Sequence, residues 1–373
     1  MEKYLHIICL NVPYPVDYGG VFDLFYKLPA LQRAGVKIHL HCFEYGRGEQ
    51  IKLDAFCESV QYYKRKKPFN SLSVSLPYIV KSRVNKILTE NLLKDNYPIL
   101  MEGVHCTYLL NDQRFKGRRN FVRLHNVEHI YYRHLFAHST SLLKKLYFFA
   151  ESVLLAAYEK KIATRATFLT VAKKDLEAYK RLGSDKVHFL PLFLPPWKVV
   201  TPEGKGSFCL YHGDLSVAEN ETAVILLLKE IFNEMTVPFV IAGKNPTKKI
   251  VDRIGDKNWI CLIENPDEAE MQDLIAKAHI NILPSYNETG IKLKFLNALF
   301  NGRHCLANQS TVEGTGFEHL CTIANDAESM KSAISELFNQ PFLKQDVELR
   351  KQILEKAFDN ETNAGKLVDI IWS

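Results

Sequence analysis

The 373-residue chain has no stretch of about 18 uninterrupted apolar residues, which excludes a segment crossing a bilayer as a single helix. Its start, Met1-Glu2-Lys3-Tyr4, lacks the charged region, long apolar core and small-residue cleavage site of a secretory signal. The eight cysteines lie far apart, and no pair has the C-x-x-C spacing of a metal or redox site. Buried thiols in a reducing compartment are therefore expected, and with them a cytoplasmic location, in association with the inner face of the plasma membrane as a further expectation. Low-complexity segments and short repeats are also missing. Against a net charge of only +6, one dense basic run stands out, Lys64-Arg65-Lys66-Lys67. A modest, spread-out excess of that kind suits anionic small molecules or an anionic membrane surface and argues against extended nucleic-acid binding. A solvated loop is the expected role of the run, with contact to anionic lipid headgroups or a lipid-linked acceptor as the alternative.

What is present is an ordinary globular composition, 47% apolar and 24% charged, on a length that suggests two domains of roughly 150 to 200 residues. Residues 5–10 form an apolar run that ends in a loop carrying Gly19-Gly20. Residues 21–33 have helical apolar spacing, and 36–43 read as a second strand. Strand, glycine loop, helix, strand is a doubly wound unit. Gly19 and Gly20 let the backbone approach a ligand there, although a plain turn fits as well. The spacing does not match G-x-G-x-x-G, which argues against a standard dinucleotide site. Residues 98–103 and 120–124 read as strands, the latter opening into His125-Asn126-Val127-Glu128-His129. Imidazole, amide and carboxylate at a strand's carboxyl end make a site candidate, with a structural histidine as the alternative. Residues 139–167 form a long helical segment with Leu142, Leu143, Leu146, Phe149, Val153, Leu154 and Ala157 along one side. Packing into the core is the expected use of that stripe, and resting on a membrane the alternative.

Residues 191–206 are the densest breaker region and read as a linker, after which the pattern restarts. Strands at 207–211, 238–242, 259–263, 280–283 and 304–307 alternate with helices at 220–232, 267–276 and 329–338. The expected fold class is α/β: two Rossmann-like doubly wound domains facing a central cleft. The boundaries are residues 1–192, a linker at 193–206, residues 207–354, and a C-terminal helical segment at 355–373.

In the second half, residues 284–302 pass from an apolar strand through a polar turn into an amphipathic helix closed by Gly302. A helix start offers free backbone N–H groups and the positive end of its dipole to an anion. Lys292 and Lys294 add charge there, where a cation slightly destabilises the helix itself. A phosphate-bearing ligand is expected; an ordinary turn with two solvated lysines fits the same residues.

Taken in order, residues 15–20, His125-Asn126-Val127-Glu128, Tyr211-His212-Gly213, Ala242-Gly243 and the run Gly290-Ile291-Lys292-Leu293-Lys294-Phe295-Leu296-Asn297-Ala298-Leu299 resemble the GT-B glycosyltransferases, specifically the retaining enzymes of family 4 (glycosyl transferases group 1). The resemblance spans nearly the whole chain. It implies that Gly19 and Gly20 face the donor phosphates and that His125, with Asn126 beside it, reaches the donor sugar. Gly213 and the backbone amides of Thr289, Gly290 and Ile291 would bind the donor, with positive charge from Lys244, Lys292 and Lys294. His125, Lys292 and Glu288 are the implied catalytic residues. No metal and no cofactor beyond the nucleotide sugar is implied, and the chain contains no Asp-x-Asp. The C-terminal helix would pack back on the first domain.

The chain departs from the family pattern in the loop Asp214-Leu215-Ser216, which lacks the arginine that often contacts phosphate, and at two further positions. The family's Glu-x7-Glu pair falls on Thr289 and Asn297, with Glu288 displaced by one residue. Asn297 can still bond a ribose hydroxyl, without charge assistance. The implied activity is retaining transfer of a sugar from a nucleotide sugar to a hydroxyl of a glycan or lipid-linked acceptor, with peripheral contact to an anionic membrane. A non-catalytic nucleotide-sugar-binding scaffold and a GT-B-fold nucleotide-sugar epimerase are the alternatives.

Overall fold

The computed structural model describes residues 2–16, 19–67, 73, 75–139, 141–286 and 290–373. The chain forms two compact units, Met1–Pro196 together with Phe358–Ser373, and Trp197–Ala357. The helices used below are α1 (Gly19–Arg33), α2 (Glu128–His138), α3 (Leu142–Ile162), α4 (Ala218–Leu226), α5 (Leu293–Asn301), α6 (Lys344–Ala357) and α7 (Asn360–Trp372).

In the first unit, β1 (Lys3–Cys9), β2 (Val36–Glu44), β3 (Ser59–Lys64), β4 (Ile99–Glu102), β5 (Asn120–Leu124), β6 (Thr167–Thr170) and β7 (Val187–Phe189) make one sheet, ordered β3-β2-β1-β4-β5-β6-β7. Every pairing is parallel. Parallel strands return through crossovers that cover both faces of the sheet, so they read as continuous apolar runs. Alternate residues of β1 accordingly enter two cores. Ile8 packs with Leu155, Tyr158 and Ile162 of α3, while Leu5, Ile7 and Cys9 pack with Leu24, Leu28 and Leu31 of α1 and Ala364, Leu367 and Ile371 of α7. The strand order reverses at β1 and β4, the place where an open α/β sheet leaves a crevice at its carboxyl ends.

The second unit repeats this plan. Strands β8 (Cys209–Asp214), β9 (Phe239–Lys244), β10 (Ile260–Glu264), β11 (Ile280–Ile282), β12 (His304–Ala307) and β13 (Thr322–Ile323) are ordered β10-β9-β8-β11-β12-β13, again all parallel. The expectation of two doubly wound α/β domains is met. Helix α5 has the predicted apolar face, with Phe295, Leu296, Ala298, Leu299 and Phe300 buried, and ends at Gly302. The buried Arg350 of α6 donates to the carbonyls of Leu299 and Gly302 at that end, at 3.3 and 2.6 Å, fixing the helix axis.

Three local features differ from the sequence reading in part or in full. Strand β3 and helix α2 were not read from the sequence, because SVQYYK and EHIYYRHLFAH have neither a clean two-residue nor a clean helical apolar period. The basic run is a solvated loop only in part: Lys66 and Lys67 are exposed outside any strand or helix, but Lys64 closes β3, and the Arg65 guanidinium lies 4.7 and 5.1 Å from the ring centres of Tyr45 and Tyr78. The apolar stripe of α3 does not enter the core. Its buried residues, including Ser152, Leu155, Glu159 and Ile162, lie on the opposite side of the helix.

Parallel strands β8 and β9 pair Gly213 with Gly243, where a Cβ on Gly243 would overlap the Gly213 carbonyl oxygen. Backbone cannot yield as a flexible side chain can. Gly243→Ala is expected to lower the unfolding free energy by about 2 kcal/mol in a urea titration.

Candidate functional site

In the first unit a charged cluster fills the space under the carboxyl ends of β4 and β5. Asp23 and Lys27 lie one turn apart on the buried face of α1, Glu102 ends β4, Arg123 lies in β5, and His125 follows β5. Asp23 accepts from Arg123 Nε and Nη2 at 3.0 and 2.9 Å, Lys27 Nζ at 3.0 Å, His125 Nε2 at 3.1 Å and the Phe193 amide at 2.9 Å. Burial alone would raise the Asp23 pKa, but Arg123 and Lys27 outweigh it and hold the carboxyl well below its usual range. Because ionised Asp23 can only accept, His125 Nε2 must donate to it, which in the neutral imidazole leaves Nδ1 as an acceptor. Lys27 also donates to Glu102 Oε1. Glu102 Oε2 is buried without a hydrogen-bond partner among the described residues, 3.7 Å from His125 Nε2.

Asp23, Glu102 and His125 bring their ligand atoms within 4.8 Å of one another, a spacing compatible with a metal ion. The Lys27 ammonium already bridges the two carboxylates, however, so the cation of this cluster is built into the chain.

A second group lies beside it. Glu128 opens α2, whose first amides, of Glu128 and His129, donate to Glu159 of α3 at 3.1 and 2.9 Å. Burial, reinforced by the Glu159 charge, pushes Glu128 up to about 8, so it is mostly protonated at neutral pH. His105 Nδ1 is 4.0 Å from it, buried and without a hydrogen-bond partner among the described residues.

In the second unit the strand ends carry positive charge. Lys294, in the first turn of α5, donates to Tyr211 Oη at 3.0 Å and Asn220 Oδ1 at 2.9 Å. Burial, and then the charge of Lys292, push its ammonium down to about 8 against the opposing pull of Glu219. His212 in β8 is pushed down to about 3 by burial and by Lys294, so it is a neutral ring, and its Nε2 is buried without a partner among the described residues. Gly290 has φ +66°, a left-handed conformation that favours glycine. The loop leading to it is braced by Asn308, whose side chain accepts from the Ser285 amide at 3.0 Å and donates to the Ser285 carbonyl at 2.7 Å.

The structure thus gathers Gly19, Gly20, His125 and Asn126 at strand ends of the first unit. In the second, Gly213 lies one residue before the end of β8, Lys244 closes β9, Gly290, Ile291 and Lys292 lead into α5, and Lys294 is in its first turn. Asn297 lies one turn further along α5, where its Oδ1 accepts from Asn301 Nδ2 at 2.7 Å. Glu288 and Thr289 lie outside the described residues. Sequence reading missed Asp23, Lys27, Glu102, Arg123, Asn220 and Asn308. A signal existed for the first two, an acid and a base four residues apart among the core positions Leu24, Leu28 and Leu31.

Comparison with known proteins fits this geometry. Residues 207–340 match the family model described as Glycosyl transferases group 1. A Klebsiella pneumoniae protein, described as an uncharacterized 44.6 kDa protein in the cps region, is 29% identical over 344 residues, covering 86% of this chain and 87% of its own. Among solved structures, a variant of S. aureus TarM in complex with Fondaparinux, alpha-GlcNAc-glycerol and UDP is 11% identical with a TM-score of 0.66, over 100% of both chains. Anabaena HepE in complex with UDP and glucose is 12% identical with a TM-score of 0.63, over 98% of each. The chain has the GT-B fold, and residues 207–340 of its second unit resemble Glycosyl transferases group 1.

Removing the Asp23 charge leaves the buried Arg123 without its carboxylate and Lys27 with Glu102 alone. Asp23→Asn is expected to cost roughly 3 kcal/mol of stability, read as a lowered urea midpoint, whereas a carboxylate contributing little would leave the midpoint unchanged.

Proposed function

We propose that this chain is a metal-independent retaining glycosyltransferase of family 4, moving a sugar from a nucleotide sugar to a hydroxyl of a glycan or lipid-linked acceptor. The observation that carries the reading is Lys294, a cation held at the start of α5 beside the neutral His212, within the segment that matches the group 1 family. We assign the donor diphosphate to the second unit, near Gly213, Lys244, Gly290, Ile291 and Lys292. The resemblance adds Glu288 and Thr289, and Asn297 would meet the ribose. By the same resemblance His125, with Asn126 beside it, would reach the sugar, and Gly19 and Gly20 would face the donor phosphates. UDP in the TarM and HepE complexes supports a uridine nucleotide as the donor's carrier. The cps-region relative supports a role in capsular polysaccharide synthesis. Eight free cysteines, five of them buried, suit a cytoplasmic enzyme, and we place it at the inner face of the membrane.

In this reading the bond from the anomeric carbon to the diphosphate oxygen breaks as the acceptor oxygen bonds the same face of that carbon. The acceptor proton passes to the departing phosphate. Negative charge grows on that phosphate in the transition state, where a fixed ammonium at Lys294 lowers the barrier. The scaffold alternative draws on the neutral Asn297 in place of a family carboxylate. An epimerase would be favoured by an acidic pair, but the pair present, Asp23 and Glu102, is neutralised by Lys27 and Arg123.

A thermal-shift screen against UDP-, GDP-, ADP- and CMP-linked compounds is expected to show stabilisation by one nucleotide class, by mass action. Transfer of sugar by the wild type and its loss in His125→Ala would complete the test. Donor binding without turnover across an acceptor panel would select the scaffold, and an isomerised free sugar nucleotide the epimerase.

Lys294 also sets a pH dependence. Below about 8 it is an ammonium and above that value it loses its charge, so affinity for a nucleoside diphosphate should fall as pH rises through that range. Lys294→Met should weaken binding on the order of tenfold at pH 7 and flatten the profile in isothermal titration.

A further inference from the structure

Strand β3 is the outer strand of the first unit's sheet, paired with β2 and, among the described residues, with nothing on its other side. The Glu58 amide donates to the Ile38 carbonyl beside it at 2.8 Å, and in a parallel ladder every second residue bonds the same neighbour. Val60 and Tyr62 therefore repeat that bond, while the N–H and C=O groups of Ser59, Gln61 and Tyr63 face the open edge. A row of unpaired backbone donors and acceptors is a template for a further strand. Proline, a bulge or an inward charge blunts such an edge, and β3 has none of them. It pairs with β2 one residue for one, and its only charge is Lys64 at its end.

An open groove of about 1020 Å³ runs along that edge. A six-residue strand, about 20 Å long and taking roughly 4.8 Å beside its neighbour and 10 Å between covering layers, fills on the order of 1000 Å³. Side chains of β3 alternate between the two walls of the groove. On one, Tyr62 Oη accepts from the Gln50 amide at 2.9 Å; on the other, Asn91 Nδ2 donates to Tyr63 Oη at 3.1 Å and Gln61 Oε1 at 2.6 Å. Ile51 beside the first wall and Ile87 beside the second are exposed by 88 and 63%, apolar surface that a chain added at this edge would help to cover.

The charges at the two ends of β3 identify the occupant. Glu58 precedes the strand and Lys64 ends it; both are exposed, and both lie on the Tyr62 side. In an antiparallel pair the residues that face the edge must meet one another. With Gln61 opposite the same residue of a second copy, Ser59 meets Tyr63 and Glu58 meets Lys64, so opposite charges pair at both ends. A parallel copy would instead set Glu58 beside Glu58 and Lys64 beside Lys64. A two-fold axis requires a patch that complements itself, and the antiparallel arrangement does. We propose that β3 is a self-recognition edge: a second copy of this chain pairs with it antiparallel about an axis through Gln61, joining the two seven-stranded sheets into one. Ile51 and Ile87 then lie along the seam on its two faces. The proposal concerns the first unit alone and stands whether or not the chain transfers sugar.

The test is light scattering on the full chain, eluted by size over a range of concentrations. Wild type should give the mass of two chains of 42.9 kDa each. Gln61→Pro deletes an N–H that faces the open edge, where proline is tolerated, and should give the mass of one chain with an unchanged circular dichroism spectrum. Glu58→Lys sets like charges opposite each other at both ends and should raise the dimer dissociation constant at least about tenfold. Glu58→Lys with Lys64→Glu should restore the wild-type value, an outcome that a merely structural role of either residue would not produce. A one-chain mass for the wild type at about 100 μM would overturn the proposal. So would a dimer that Gln61→Pro leaves intact, or one that the charge swap fails to restore. A one-chain mass together with binding of a free peptide of residues 58–64 would replace the second copy by a strand from another protein.

Discussion

A carboxylate as enclosed as Asp23 would, if unpaired, cost several kcal/mol in lost hydration. It persists because five donors converge on it from four places: Lys27 in its own helix, Arg123 in β5, His125 just beyond that strand, and the Phe193 amide after β7. Arg123 extends the same network by donating to the carbonyls of Leu190 and Pro191 at 2.6 and 2.8 Å. Helix α1, the end of β5 and the segment leaving β7 are thereby held to one point. His125 is oriented through its own bond to the carboxylate that this network holds in place.

The two units share a strand order and differ in how their strand ends are charged. In the first, two carboxylates meet two cations, and the cluster is close to neutral before His125 is counted. In the second, Lys294 and Lys292 stand at the start of α5, where the helix dipole is already positive, and His212 is neutral. Glu219 offsets this only in part, since its carboxylate also accepts from the Ser285 hydroxyl. One architecture therefore yields a compensated pocket and an anion-seeking one. Lys294 is costly to keep charged where it stands, which is the reason its ammonium is weakened and the reason an arriving diphosphate would strengthen it.

Much of the fold was legible because parallel strands, buried on both sides, appear as short apolar runs. Strand β5 at Asn120–Leu124 and β12 at His304–Ala307 fall where the sequence places them. Edge strand β3 was not legible, since five of its six residues are polar or tyrosine and only Tyr63 is buried. The site was readable where its residues are neighbours in sequence, as with Gly290 through Lys294. It was hidden where they are not: Arg123 finds Asp23 a hundred positions away, and Asn308 braces Ser285 across 23. Single-sequence spacing carries no record of such pairs.

Helix α3 shows a different limit. A period of 3.6 residues establishes that a helix has an apolar side, but not that this side faces the core. Here the buried side carries Glu151 and Glu159, residues a polarity rule assigns to solvent. Both are bonded: Glu151 Oε1 accepts from the Tyr78 amide at 2.7 Å, although its Oε2 has no hydrogen-bond partner among the described residues, and Glu159 accepts from the Tyr179 hydroxyl at 2.8 Å, the His129 ring at 2.7 Å and the first amides of α2. Buried acids bonded to donors on neighbouring segments fix the helix rotation more tightly than leucines could, because hydrogen bonds are directional and apolar contact is not. That rotation turns the leucines outward. The exposed stripe is thus a consequence of polar bonding on the far side of the helix, held in place by groups whose removal would be costly.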